Sequence, residues 1–130
     1  MEIRCKVWLE KGGEMLFGKG RAQLLKALAE EGSLSRAARR LNMSYRAAWG
    51  KLQASEQHLG VKLAERSPLG RHGMTLTERG KLMLKEYERL LRETEKFFER
   101  RLERFTAALG GQKKAPRAGT RGAMKKKVQR

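Results

Sequence analysis

Arg46, Ala47, Gly50 and Gln53 have the residue types and the spacing to read a nucleic-acid groove. Stepping about 100° per residue around a helix, they fall on one side together with Ala54 and Gln57, while Tyr45, Ala48, Trp49, Leu52 and Leu59 fall on the other. The first side mixes small residues with hydrogen-bonding ones and holds no carboxylate. Small side chains allow close approach, and Arg and Gln pair with base edges or phosphates. Gly50 costs about 1 kcal/mol against Ala inside a helix, so a reason for it is expected on the approach side. A plain surface helix without acids is the alternative reading. The second side is expected to pack inward, with Trp49 holding the helix at its angle. Tyr45 is expected to pack inward too, its hydroxyl within reach of a phosphate.

Other chemistry finds little support. The 14 acidic residues are all Glu, and no pair has a spacing typical of general acid–base work. Gly18-Lys19-Gly20 lacks the two-glycine spacing and the Lys-Ser/Thr of a phosphate loop. Cys5 is the single cysteine and reads as a small buried hydrophobe. His58 and His72 are the two histidines; with no second cysteine they do not make a zinc site. No catalytic residue, metal site or cofactor is expected, and no small-molecule effector site is evident.

The elements that must position the reading face follow from caps and periodicity. Ile3, Cys5, Val7 and Leu9 alternate with polar positions and predict a half-buried strand, with Met15–Phe17 returning after a Gly12-Gly13 turn. Leu24, Leu25 and Leu28 predict a helix over 19–31. Ser33 and Ser44 are N-cap residues for two further helices separated by Asn42-Met43, and Gly60 fits a left-handed C-terminal stop. A short helix, a turn and a longer capped helix make a helix-turn-helix, whose second helix enters the major groove. Val61–Arg66 and Met74–Leu76 predict a hairpin, a wing, with a basic tip at Arg71 and His72. Ser33, Ser35, Arg36, Ser44, Lys51, Arg71 and His72 are assigned mainly to the phosphate backbone; Arg46 is placed at base edges or, alternatively, on a phosphate.

Thr77 caps a long helix in which Leu84, Tyr87, Leu91, Thr94, Phe98, Arg101 and Phe105 recur at spacings of three and four, beside a second line of Met83, Leu90 and Phe97. A small domain cannot cover so long an apolar stripe, so the seam predicts a homodimer, the alternative being that Phe97, Phe98 and Phe105 fold back on their own domain. The division expected is a winged domain over 1–76, a dimerisation helix over 77–109 and a basic tail over 110–130. That tail is expected to be disordered, with eight Lys/Arg and no acid.

The bulk composition agrees. Lys+Arg number 31 and the net charge is +17, which points to an anionic polymer or a membrane surface as partner; with the helix-turn-helix, double-stranded DNA is the partner expected. No run of 18 apolar residues exists to span a membrane, and Met1–Gly13 has no signal-type apolar stretch, so a cytoplasmic location is expected.

Gly32-Ser33-Leu34-Ser35 with Ala37-Ala38, the string Ser44-Tyr45-Arg46-Ala47-Ala48-Trp49, Glu65-Arg66 and Leu76-Thr77-Glu78-Arg79-Gly80 together resemble the N-terminal DNA-binding domain of the molybdate-responsive ModE regulators. The resemblance runs from Ile3 to about Leu91, and all but the Ser-Tyr-Arg string is shared with the wider LysR-type winged-helix group. It implies a mainly α (α+β) winged helix-turn-helix, a dimer and an inverted-repeat operator. Molybdate-sensing members carry C-terminal oxyanion-binding domains that this sequence has no residues left to build. A short, ModE-like transcription regulator is therefore expected, with a nonspecific, architectural DNA-binding protein as the alternative.

Overall fold

A computed structural model describes residues 1–68, 70 and 72–110. Arg71, at the wing tip, and residues 111–130, nearly all of the basic tail, lie outside the described residues. The elements are β1 (Leu9–Lys11), β2 (Glu14–Phe17), α1 (Lys19–Glu31), α2 (Leu34–Arg40), α3 (Tyr45–Leu59), β3 (Ala64–Arg66), β4 (Met74–Leu76) and α4 (Glu78–Ala108).

The chain divides into two compact units, one over residues 8–87 and one made of residues 1–7 with 88–130. In the first, α1, α2 and α3 pack around Leu24, Leu25, Leu28, Leu34, Ala37, Ala38, Ala48 and Leu52, all buried. Each fully buried leucine contributes about 1.5–3 kcal/mol. Ala37 and Ala38 present little bulk, which lets the short α2 lie close on α1. Phe17 closes the core from β2 and meets Tyr87 edge-on, ring centroids 5.4 Å apart.

The predicted caps form. Ser33 Oγ accepts from the Arg36 amide at 3.1 Å and Ser44 Oγ from the Ala47 amide at 3.0 Å. Gly32 and Gly60 end α1 and α3 with φ of +77° and +74°. Between α2 and α3, Asn42 turns the chain at φ +58°, a conformation Asn tolerates better than most residues.

The first strand is shorter than expected. Residues 3–8 are outside it, because β1 and β2 zip outward from Gly12-Gly13 and Leu9 already faces Phe17, the last residue of β2. The wing strands pair Ala64 with Leu76 and Arg66 with Met74, so Val61–Leu63 also lie outside the ladder. The Met74 amide donates to Gly32 O at 2.9 Å, joining the wing to the end of α1.

In the other unit, the α4 residues from Glu88 onward carry charges of both signs. Arg89 Nε lies 3.5 Å from Glu93, and Phe97 and Phe98 lie with ring centroids 6.1 Å apart. Burial pushes the Cys5 thiol above its usual pKa, which disfavours a thiolate.

Candidate nucleic-acid interface

The second helix of the helix-turn-helix, α3, buries only a narrow strip. Ala48, Leu52 and Ser55, at helical spacing, are its buried residues. Arg46, Ala47, Gly50, Lys51 and Gln57 are exposed, as the helical wheel expects, and Gln53 and Ala54 are half-buried at the margins. A Cβ built on Gly50 would meet nothing within 4 Å, so no neighbour within the chain requires this glycine.

Two residues differ from expectation. Trp49 is 41% exposed and Tyr45 54% exposed. Both were expected to pack inward. The core of α1 and α2 faces α3 only along the Ala48–Leu52–Ser55 line, and Trp49, one position round from Ala48, is carried to its edge.

Ser55 was not singled out in the sequence, yet it fixes the helix. Arg21 Nε, from α1, donates to Ser55 Oγ at 2.8 Å, and Ser55 Oγ donates to Lys51 O at 3.0 Å. A buried serine on the inner strip of a helix is the signal that could have revealed it, since buried hydroxyls need partners.

Glu56, the one carboxylate of α3, was also missed. Its side chain is only 10% exposed. Glu56 Oε2 accepts from the Leu63 and Ala64 amides at 2.8 and 3.2 Å, and Oε1 lies 3.5 Å from Lys62 Nζ. The acid of α3 is thereby turned away from the outer face and held at the base of the wing.

The wing root is clamped from the other side. The Thr77 amide donates to Leu63 O at 2.9 Å, Thr77 Oγ1 donates to Lys62 O at 2.7 Å, and Thr77 Oγ1 accepts from the Gly80 amide at 3.0 Å. Gly80 is needed here: a Cβ would sit 2.1 Å from Leu63 O.

The basic side chains divide by partner. Arg40 is engaged by Glu30 at 2.6 Å and Glu31 at 3.2 Å, bracing α2 on α1. Arg36, Arg46 and Lys51 are exposed and have no ion pair among the described residues. Ser33 and Ser44 use their oxygens as caps, and each hydroxyl proton remains able to donate to a phosphate. Ser35 and His72 are exposed. The assignment made to Arg71 falls outside the described residues.

Along α4, Tyr87 is buried against Phe17 within its own unit. Leu84, Leu91, Thr94 and Phe98 are half-buried, and Arg101 and Phe105 are exposed. Among the described residues from Glu88 onward, Phe97, Phe105 and Leu109 are the large apolar residues left exposed, at 49%, 54% and 74%. Among the described residues, no helix is long and apolar enough to cross a membrane.

Comparison with known proteins agrees with this geometry. Residues 20–81 match the family of bacterial regulatory helix-turn-helix proteins, lysR family. The chain is 45% identical over 69 residues to the HTH-type transcriptional regulator ClcR of Pseudomonas putida, covering 53% of this chain and 22% of ClcR. It is 33% identical over 93 residues to the molybdenum transport protein ModE of Azotobacter vinelandii, covering 70% of this chain and 34% of that protein. Among solved structures, full-length CbnR complexed with its target DNA is similar with a TM-score of 0.50 and 33% identity, over 63% of this chain and 27% of CbnR. The chain thus spans between a fifth and about a third of the length of these curated relatives. With α2 and α3 as the helix-turn-helix and β3–β4 as the wing, residues 20–81 have a winged helix-turn-helix fold and are similar to the LysR-type helix-turn-helix regulators.

Proposed function

We propose that this protein is a sequence-specific transcription regulator that binds an inverted-repeat operator as a homodimer. The observation that carries the reading is the outer face of α3. It offers Arg46, Lys51 and Gln53 around Gly50, while its one acid, Glu56, is folded onto the wing root. A helix so arranged can enter a groove without bringing a carboxylate against phosphates. Arg46, Ala47, Gly50 and Gln53 meet base edges. Ser33, Ser35, Arg36, Ser44, Tyr45, Lys51, Arg71 and His72 hold the backbone. The apolar seam of α4, above all Leu91, Phe98 and Phe105 with Phe97 beside it, joins the two copies. Tyr87, being buried against Phe17, is left out of that contact.

The Ser44–Trp49 string favours a ModE-like role, with control of genes for molybdenum supply. The identity to ClcR favours a general LysR-type regulator instead. The net charge of +17 also supports a nonspecific, architectural mode. Selection from genomic fragments at two salt concentrations separates these. A shared inverted repeat that survives the higher salt supports the regulator, and the neighbouring genes then decide for or against molybdenum. Uniform recovery that collapses with salt means that counterion release supplies the affinity, and the architectural mode replaces it. Gln53→Ala is expected to lose sequence preference by about 1–3 kcal/mol, the scale of a bidentate base contact. Equal losses on selected and random duplexes would refute that role.

A further inference from the structure

We propose that Trp49 is a specificity-determining residue that reads a thymine through its C5-methyl group, with Tyr45 as the neighbouring wall of the same apolar ridge. The inference rests on the DNA-reading role proposed above and adds to it a base and a chemical group.

Three observations meet here. First, the indole and the phenol are exposed, at 41% and 54%, although the buried strip of Ala48, Leu52 and Ser55 lies directly beside them. Second, they stand four residues apart, which places them side by side along one flank of α3. The space over Gly50, next in sequence to Trp49, is open: an added Cβ there would touch nothing within 4 Å. Gly50 lies about 100° round the helix from Trp49, between Arg46 and Gln53, so it leaves the adjoining outer face open to close approach. Third, the charge around the ridge is basic. Arg46, three residues before Trp49 and so its neighbour on the helix surface, is exposed without an ion pair among the described residues, and Glu56 is withdrawn to the Leu63 and Ala64 amides.

That charge selects the occupant. A second protein surface covering Tyr45 and Trp49 would have to desolvate Arg46 as well. A nucleic-acid duplex meets the same cation with a phosphate. Within the major groove, the thymine methyl is the apolar feature of the base edges, and apolar side chains recognise thymine by it. A broad indole edge flanked by a phenol is suited to that contact, and polar reading is left to Gln53, one turn further on.

The test begins with a randomised duplex library and wild-type protein, followed by the same selection with Trp49→Ala. The duplex that wild type enriches is then resynthesised with deoxyuridine in place of each thymidine in turn, which removes the methyl and keeps the pairing. At one thymidine in each half-site, wild-type affinity is expected to fall about fourfold, the scale of one buried methyl group. Trp49→Ala is expected to lose the thymine preference at that position and to become indifferent to the deoxyuridine. Wild type insensitive to every replacement, or a variant as sensitive as wild type, overturns the inference and leaves sequence reading intact. If wild type enriches no sequence at all, the DNA-reading role itself fails. Should Trp49→Ala melt early, Trp8→Phe provides a second measurement on an intact reading face, since it leaves Trp49 as the lone indole. Its fluorescence should change on adding the selected duplex and change less with the deoxyuridine duplex; identical responses overturn the inference.

Discussion

α3 and α4 are both exposed along much of their length, yet they handle charge in opposite ways. α3 has one carboxylate, Glu56, and turns it onto backbone amides of the wing root. α4 alternates acids and bases from Glu78 onward, and pairs such as Lys81–Glu78 at 3.4 Å and Arg89–Glu93 at 3.5 Å lie on its own surface. The first pattern leaves cations unneutralised for an outside polyanion. The second neutralises itself and adds only a few tenths of a kcal/mol per pair. Exposure alone therefore does not mark a binding face; what matters is whether the charge on it has already been satisfied within the chain.

The glycines of the two helices sharpen the contrast. Gly80→Ala in α4 drives a Cβ against the Leu63 carbonyl at 2.1 Å. The expected loss is about 3 kcal/mol, at the upper end for overpacking against backbone, seen as a large drop in melting temperature. A melt within a degree of wild type would break the assignment of a wing-root clamp. Next in size is Ser55→Ala, which deprives the Arg21 guanidinium of its 2.8 Å acceptor. A loss of about 1–3 kcal/mol is expected from an unsatisfied partly buried group, measured by urea unfolding. Gly50→Ala in α3 should do the reverse in stability, raising it by about 1 kcal/mol while weakening binding to the selected duplex. A variant both more stable and equally tight would show that nothing approaches α3 there. The smallest effect belongs to α4: Glu93→Ala should cost no more than about 0.5 kcal/mol and leave DNA affinity unchanged. A strong effect on affinity would mean that α4 shares the role given to α3.

Much of this was legible in the sequence because it is local. Ser33, Ser44 and Thr77 as caps, Gly32 and Gly60 as left-handed stops, and the break at Asn42 are consequences of backbone hydrogen bonding within a few residues. They fix where α2, α3 and α4 begin and where α1, α2 and α3 end. The acid-poor outer face of α3 is likewise a matter of residue order. The extent of β1 was not legible, since Ile3–Leu9 alternates throughout and only the length of its partner β2 stops the ladder at Leu9.

What the sequence determined by itself was the set of elements and the angle at which each α3 side chain leaves the helix. The tertiary structure decided how deep each angle lies. A helical wheel places Ala48 and Trp49 on one side, but α1 and α2 cover only the line through Ala48, Leu52 and Ser55, so the larger ring is left in water. The partners of Arg21, Glu56 and Gly80 were decided in the same way. Each meets a group across a turn that the chain must first make: Ser55 across the helix-turn-helix, the Leu63 and Ala64 amides across the end of α3, the Leu63 carbonyl across the wing. Those meetings depend on how the elements pack, and periodicity carries no information about packing between elements.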